Sequence, residues 1–409
     1  MAKARVLMLI TELGYGGAER SFMRVANYLS REMEVTVAVF NQSKDGLYQM
    51  PDNEAFDFEL VALDDGAKSA SLLRKWWHRI RRLRALKMQH DVCISYMPGP
   101  DLLNVLAGAR AKSVCSLRGS VINSPELVNF RPILSRWVML PLAFWLADVI
   151  VVVVEGLKHD IAICAGKKAA QKAIEIPTFM VPDAFEQRLK ASAPKAYQPL
   201  AGQPTLVSVG RLALQKNPQY LIRAFAQTAK RVAGAKLLLV GGGPMEAELR
   251  DLTLSNGLAV DDFTEDVPSV IFAGFHDNPM PFLSLGKAFV TASGAEGLPG
   301  AVVEAMYAGK LVLAADSTWG ARAILEPGEP PADPYPTKAL TLGRYGVLLP
   351  RIDAPHYEAI WVDAMARALE SDAWQQRYEP TANARAMDFA MEKVAPKWTA
   401  LVEAILQDK

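Results

Sequence analysis

Residues 287–316 read "KAFVTASGAEGLPGAVVEAMYAGKLVLAAD". The apolar run 287–292 predicts a buried strand. The glycines and proline between Ser293 and Gly300 predict a tight turn, and the stretch from Pro299 to Gly309 a helix. A second apolar strand, 311–316, follows. Strand, helix and strand, with both strands apolar along their length, mark a parallel sheet covered on both faces. The same unit recurs on either side. Before residue 190 the strand candidates are "RVLMLI" (5–10), "EVTVAVF" (34–40), "DVCISY" (91–96), "KSVCSL" (112–117) and "VIVVVV" (149–154). After residue 204 they are "TLVSVG" (205–210), "KLLLVG" (236–241), "SVIFAG" (269–274), the two runs quoted first, and "GVLLP" (346–350).

Between the two series, residues 190–204, "KASAPKAYQPLAGQP", lose periodicity and carry three prolines, which is linker composition. The expectation is an α/β protein of two doubly wound, Rossmann-like domains facing across a cleft. Domain one covers 1–190, a linker 191–204, and domain two 205–385, with a C-terminal helix at 386–409. Ligands are expected at the carboxyl ends of strands facing that cleft.

Composition agrees. A chain of 409 residues exceeds one ordinary core. With 51% hydrophobic and 22% charged residues it is globular, and a net charge of +1 gives no global field for nucleic acid. Cys93, Cys115 and Cys164 lie in apolar stretches without metal-type spacing and read as free thiols of a reducing compartment. The opening apolar run is too short for a signal-peptide core. Residues 137–154, "WVMLPLAFWLADVIVVVV", reach transmembrane length, but Pro141 and Asp148 interrupt them. They read as a buried helix ending near Ala147, then a strand.

Four turns carry the chemistry. In "ITELGYGGAERSF" (10–22), Gly14, Gly16 and Gly17 bring backbone close to a helix N-terminus, where free amides meet an anion. Glu19 stands where a dinucleotide fingerprint needs its third glycine, and glycines also serve merely to turn. In "SVGRLALQKNP" (208–218), Arg211 follows Gly210 at the strand's end, and Lys216 precedes the next helix. Two cations near a helix start point to an anionic partner such as a diphosphate; the ordinary alternative is a solvated surface pair. "VGGGP" (240–244) closes a third turn and receives no role. In the opening stretch Glu296 lies on the loop and Glu304 in the second helical turn, eight positions on. Both can reach one ligand across the helix start, beside the amides of Gly297, Leu298 and Gly300; Pro299 has none. Singly, Glu304 also reads as an exposed helical residue and Glu296 as a helix N-terminal carboxylate.

Together, "GGAER", "ADVIVVVVEGLKHDI", "VGRLALQKNP", "VGGGPMEAEL", "FAGFHDNP" and "EGLPGAVVE" resemble the retaining glycosyltransferases of family 4, on the GT-B fold. The resemblance implies that Gly16 and Gly17 approach the donor's diphosphate or sugar and that Arg211 and Lys216 hold the diphosphate. It implies that Glu304 binds the ribose and Glu296 the transferred sugar, with the backbone of 297–300 beside it. Phe275 would face the nucleobase, and the C-terminal helix would pack back on the first domain. It further implies configuration retained without a metal or other cofactor; the chain contains no D-x-D and its five histidines form no cluster. Where many relatives carry histidine after the strand 112–117, this chain has Arg118, a sugar or acceptor contact. The segment 326–344 reads as an inserted loop.

One further stretch, "LLRKWWHRIRRLRALK" (72–87), holds seven Lys/Arg and no acid. A basic amphipathic helix with Trp76 and Trp77 fits an anionic membrane surface. Arg74, Lys75, Arg79, Arg81, Arg82, Arg84 and Lys87 would contact it, and relatives acting on lipid-linked acceptors favour this reading. A solvated helix packing its apolar side on the core is the alternative; a nucleic-acid partner lacks any recognised module. The functional expectation is a cytoplasmic transferase at the inner face of the cell membrane, moving a hexose or N-acetylhexosamine from a UDP-sugar to a lipid-linked glycan. A non-catalytic nucleotide-sugar-binding protein and a sugar-nucleotide epimerase share the fold; the intact charged set and the basic helix speak for transfer.

Overall fold

The computed structural model describes residues 3–14, 16–40, 58–64, 71–122, 135–316, 318–328, 330–331, 333 and 336–407. The chain divides into two compact units. One holds the residues up to Ile122, the stretch ending at Phe179 and the tail from Met391; the other runs from Met180 to Ala390.

The first unit contains strands β1 (Arg5–Ile10), β2 (Glu34–Val39), β3 (Glu59–Ala62), β4 (Val92–Tyr96), β5 (Lys112–Leu117), β6 (Val149–Val152) and β7 (Ala173–Glu175). Helices α1 (Gly17–Ser30), α2 (Leu72–Lys87), α3 (Pro98–Ala107), α4 (Leu140–Leu146), α5 (Leu157–Ala165) and α6 (Lys167–Ala170) accompany them. Every pairing is parallel, in the order β3-β2-β1-β4-β5-β6-β7. The order reverses between β1 and β4, the crevice position where doubly wound sheets bind ligands.

The second unit begins with helix α7 (Pro182–Lys190). Its strands are β8 (Thr205–Val209), β9 (Lys236–Val240), β10 (Ala259–Val260), β11 (Ser269–Gly274), β12 (Ala288–Thr291), β13 (Leu311–Ala315), β14 (Thr341–Leu342) and β15 (Val347–Leu349). Its other helices are α8 (Pro218–Ala229), α9 (Glu246–Ser255), α10 (Met280–Leu283), α11 (Gly300–Tyr307), α12 (Thr318–Leu325), α13 (Glu358–Glu370) and α14 (Ala373–Ala386). The order is β10-β11-β9-β8-β12-β13-β15-β14, parallel except for the terminal β14–β15 pair. Here the reversal falls between β8 and β12.

Strands named in the sequence appear within a residue or two of expectation, because β-branched runs buried on both faces leave little choice of register. The short strands β3, β7, β10 and β14 were not anticipated; they sit at or beside sheet edges, where the apolar signal is weak. The domain boundary differs too. The expected limit at 190 gives way to one at Phe179/Met180, because α7 packs Phe185 into the second unit's core. The expected linker at 191–204 is a structured turn, with Lys195–Leu200 forming a 3-10 helix and Leu200 fully buried. The expected limit of the second domain at 385 moves to Ala390. Beyond it α15 (Met391–Val394) and α16 (Pro396–Gln407) belong to the first unit, where Trp398 is fully buried and stacks on Tyr96 at 6.4 Å.

Helix α2 needs correction residue by residue. Its inner side packs Leu83 into the core, with Trp76, Ile80 and Leu86 partly buried against it. Lys87, expected at a membrane surface, is fully buried: its Nζ donates to Asn104 O, Asn104 Oδ1 and Ser113 Oγ, each at 2.8 Å. Arg79 pairs with Asp64 at 2.6 Å and lies over the Phe40 ring, and Arg82 donates to Leu63 O. Trp77 stays 65% exposed, and Arg74, Arg81 and Arg84 face outward. No helix among the described residues is long and apolar enough to cross a membrane.

The Lys87 network continues inward. Asn104 Nδ2 donates to Ser95 Oγ, which donates to Asp101 Oδ1 at 2.7 Å. Burial holds the Asp101 carboxyl well above the usual range. A raised folded-state pKa contributes stability that is complete below the ordinary aspartate range and lost as pH rises through the folded value. Asp101→Asn, which stays neutral, is therefore expected to flatten the fall in melting temperature above the ordinary aspartate pKa. A parallel pH profile for parent and variant, by scanning calorimetry, would exclude a neutral Asp101.

Candidate functional site

Strand β8 ends at Val209, and the chain after it is laced to the glycine turn after β9. Gly210 N donates to Val240 O (2.9 Å), Leu212 N to Gly242 O (3.0 Å) and Met245 N to Leu212 O (3.2 Å). A Cβ on Gly241, whose φ is +140°, would collide with the Gly210 carbonyl, and one on Gly243 with the Leu212 backbone. The "GGG" turn, given no role from sequence, is thus the floor that fixes Arg211's backbone. The Arg211 side chain is exposed and has no hydrogen-bond or ion-pair partner among the described residues. It borders a small depression shared with Gly210, Lys216 and Thr291.

Across the reversal point the loop after β12 is tied to the loop after β8. Gly294 N donates to Gln215 O at 2.8 Å, Gln215 Nε2 to Ala295 O, and Asn217 Nδ2 to Ala292 O at 3.0 Å. Asn217 adopts the left-handed conformation (φ 54°), which asparagine tolerates, and turns the chain into α8 with Pro218 at its first position. These ties bring Lys216 onto Glu296: Lys216 Nζ donates to Glu296 Oε1, with side chains 31% and 16% exposed. The two residues expected to serve diphosphate and sugar separately form one ion pair here, whereas Arg211 has no ion-pair partner among the described residues.

Glu304 lies in α11, whose N-cap is Pro299 and whose first residue is Gly300. Its Oε1 is 3.9 Å from Arg188 Nη1. Arg188, on α7, donates from Nε to Asn278 Oδ1 (3.3 Å), and Asn278 Nδ2 donates to Arg188 O (2.8 Å). Sequence reasoning missed Arg188, because α7 precedes the expected boundary and nothing local marks it. Phe275 projects from the end of β11, 57% exposed, with Gly242 beside it. The loop Gly297–Leu298–Pro299 rests on α12: a Cβ on Gly320 would collide with Gly297 O.

In the first unit Gly16 is the N-cap of α1, but the Glu19 carboxylate folds back against it. An anion approaching Gly16 and Gly17 must displace that carboxylate. Arg118, at the end of β5, is drawn inward: Nη2 donates to Ser21 Oγ at 2.5 Å and to Thr178 Oγ1 at 2.6 Å, and the guanidinium lies over the Tyr96 ring at 4.8 Å.

Comparisons with known proteins find similarity to glycosyltransferases. Residues 203–341 match the family model described as glycosyl transferases group 1. An uncharacterised glycosyltransferase of Methanocaldococcus jannaschii is 28% identical over 278 residues, 64% of each chain. A Campylobacter jejuni N-acetylgalactosamine-N,N'-diacetylbacillosaminyl-diphospho-undecaprenol 4-alpha-N-acetylgalactosaminyltransferase is 27% identical over 190 residues, 46% of this chain and 44% of that one. The matches thus span less than two thirds of the length of these relatives. Among solved structures, a protein of Anabaena in complex with UDP and glucose superposes with a TM-score of 0.73 at 18% identity, over 98% of this chain and 100% of that one. The segment 203–341, which carries Arg211, Lys216, Glu296 and Glu304, is thus similar to the group 1 glycosyltransferases, and the two Rossmann-like units have the GT-B fold.

Proposed function

We propose that this protein transfers a hexose or N-acetylhexosamine from a nucleotide diphosphate sugar, with UDP as the nucleotide, to a lipid-linked glycan, retaining configuration. The observation that carries the reading is the convergence of Arg211, Lys216 and Glu296 on two loops tied together where the second sheet reverses order. Arg211 and Lys216 would take the diphosphate and stabilise the charge that grows as it leaves. That role needs no metal, because the two side chains supply the cationic charge. Lys216 would exchange Glu296 for phosphate, freeing Glu296 to accept from the sugar's hydroxyls. Glu304, steadied by Arg188, would accept from the ribose hydroxyls, and Phe275 would offer a face to the base. In the transfer the anomeric C–O bond to the diphosphate breaks and the acceptor oxygen bonds to the same face. The acceptor's proton passes to a diphosphate oxygen.

The deciding experiment is a thermal-shift panel of nucleotide sugars followed by nucleotide release with and without acceptor. A UDP-sugar is expected to raise the melting temperature by mass action, and release is expected to require acceptor. Stabilisation without acceptor-dependent release would point to a binding protein instead.

For the membrane, the proposal narrows to Arg74, Lys75, Trp77, Arg81 and Arg84. Trp137 and Trp145 are also exposed in the same unit, at 49% and 59%. Changing Arg74, Arg81 and Arg84 together to Glu is expected to abolish sedimentation with anionic vesicles, each cation near the surface contributing about 1 kcal/mol. Unchanged sedimentation would remove α2 from any membrane role.

A further inference from the structure

Arg118 has one half of its guanidinium committed and the other half idle. Nη2 serves Ser21 and Thr178, whereas Nη1 is buried and has no hydrogen-bond partner among the described residues. Both occupied acceptors are neutral hydroxyls. Burial lowers the pKa of Arg118, and among the described residues the ionisable neighbour acting on it is the Tyr96 phenol. The loop that follows is held in place: Asp160 Oδ2 accepts from Ser120 Oγ at 2.6 Å, from Val121 N at 3.0 Å and from Ile122 N at 3.4 Å. Asp160 is thereby engaged with that loop. The site lies at the carboxyl edge of the first sheet, between β5 and the start of α1, beside the β1/β4 reversal.

A cation whose buried donor is unused and which has no counter-charge among the described residues costs stability. Hydroxyl ligands do not return that cost; a carboxylate or phosphate oxygen does, because a guanidinium fork matches planar and tetrahedral oxyanions. We propose that Arg118 Nη1 is the recognition point for an oxyanion, carboxylate or phosphate, carried by the acceptor or by the transferred sugar. The donor's diphosphate is served by Arg211 and Lys216 in the second unit. The identity of the carrier rests on the glycosyltransferase reading; the anion site does not.

The test uses the full chain as parent, Arg118→Gln and Arg118→Lys, with binding read by calorimetry at constant ionic strength, so that turnover is not needed. One probe pair is UDP-glucuronate against UDP-glucose. The other is N-acetylglucosamine on a short-chain prenyl diphosphate against the same sugar as an uncharged alkyl glycoside; UDP alone is the control. Arg118→Gln is expected to weaken the charged member of one pair by about tenfold to a hundredfold, the range for a hydrogen bond to a charged group. Its neutral counterpart and UDP should change less than about threefold, with Arg118→Lys recovering much of the loss. The responding pair identifies the source: a sugar carboxylate or an acceptor phosphate. Equal weakening within both pairs, no weakening, loss of UDP binding, or a parent that does not favour either charged probe overturns the proposal. Should Arg118-dependent anion binding persist while no acceptor elicits nucleotide release, the anion site stands and the transferase reading falls.

Discussion

Arg211→Ala is expected to lower kcat/KM for the nucleotide-sugar donor by about 10²–10³-fold, the usual loss on removing one preorganised charge-stabilising group. Its melting temperature should stay close to the parent's, since exposed side chains without partners contribute little stability. The contrast follows from the geometry. The backbone on either side of Arg211 is fixed by hydrogen bonds from Gly210 and Leu212 to the end of β9 and the turn after it, while the Arg211 side chain has no partner among the described residues. Its charge is therefore available to a ligand and idle in folding. Lys216→Met differs, because it removes the Lys216–Glu296 ion pair in a site only 16% exposed on the carboxylate side and should depress stability as well as turnover. Steady-state kinetics with matched melting curves separate the two. Parental kcat/KM in Arg211→Ala would dismiss the diphosphate assignment.

The second large effect falls on stability. Asp316→Ala is expected to destabilise the protein by about 3–5 kcal/mol, the range for stripping one partner from a buried ion pair. Asp316 follows β13 with its side chain 1% exposed. It accepts from Arg322 Nε at 3.1 Å on both oxygens, from Arg322 Nη2 at 2.5 Å and from the Thr337 hydroxyl. Removing the carboxylate leaves the Thr337 hydroxyl without this acceptor and the Arg322 guanidinium with only the Thr337 oxygen at 2.9 Å, not a counter-charge. The damage should reach the site, because α12 carries both Arg322 and Gly320, the residue on which the 297–299 loop rests. Donor KM is thus expected to rise. Urea unfolding of the Ala and Asn variants checks this, and a midpoint equal to the parent's would show that the network holds nothing.

How much of this was legible beforehand depended on range. Order of elements, parallel sheets and the placing of the turns with Arg211, Lys216 and Glu296 after strands were readable, because strand runs and glycine turns are local signals. The boundary was misplaced because proline-rich composition at 190–204 marks a linker only statistically; Leu200 shows that burial overrode it. The basic helix misled for a related reason. Seven cations in sixteen residues read as one surface, yet Lys87 ends α2 where the helix meets Asn104 and Ser113, and so is buried.

Chain order and period were enough to establish two doubly wound units and to put the charged turns at strand ends, since alternation of strand and helix admits few other sheets. Which charges meet was decided only on folding. Strand order set β8 beside β12, and that adjacency joined Lys216 to Glu296. The division of the chain at Phe179/Met180 put α7 in the second unit and so supplied Arg188 to Glu304. Convergence of β5 with α1 left Arg118 with one unused donor. Each is a contact across 80 or more residues, and no local spacing rule spans such a gap.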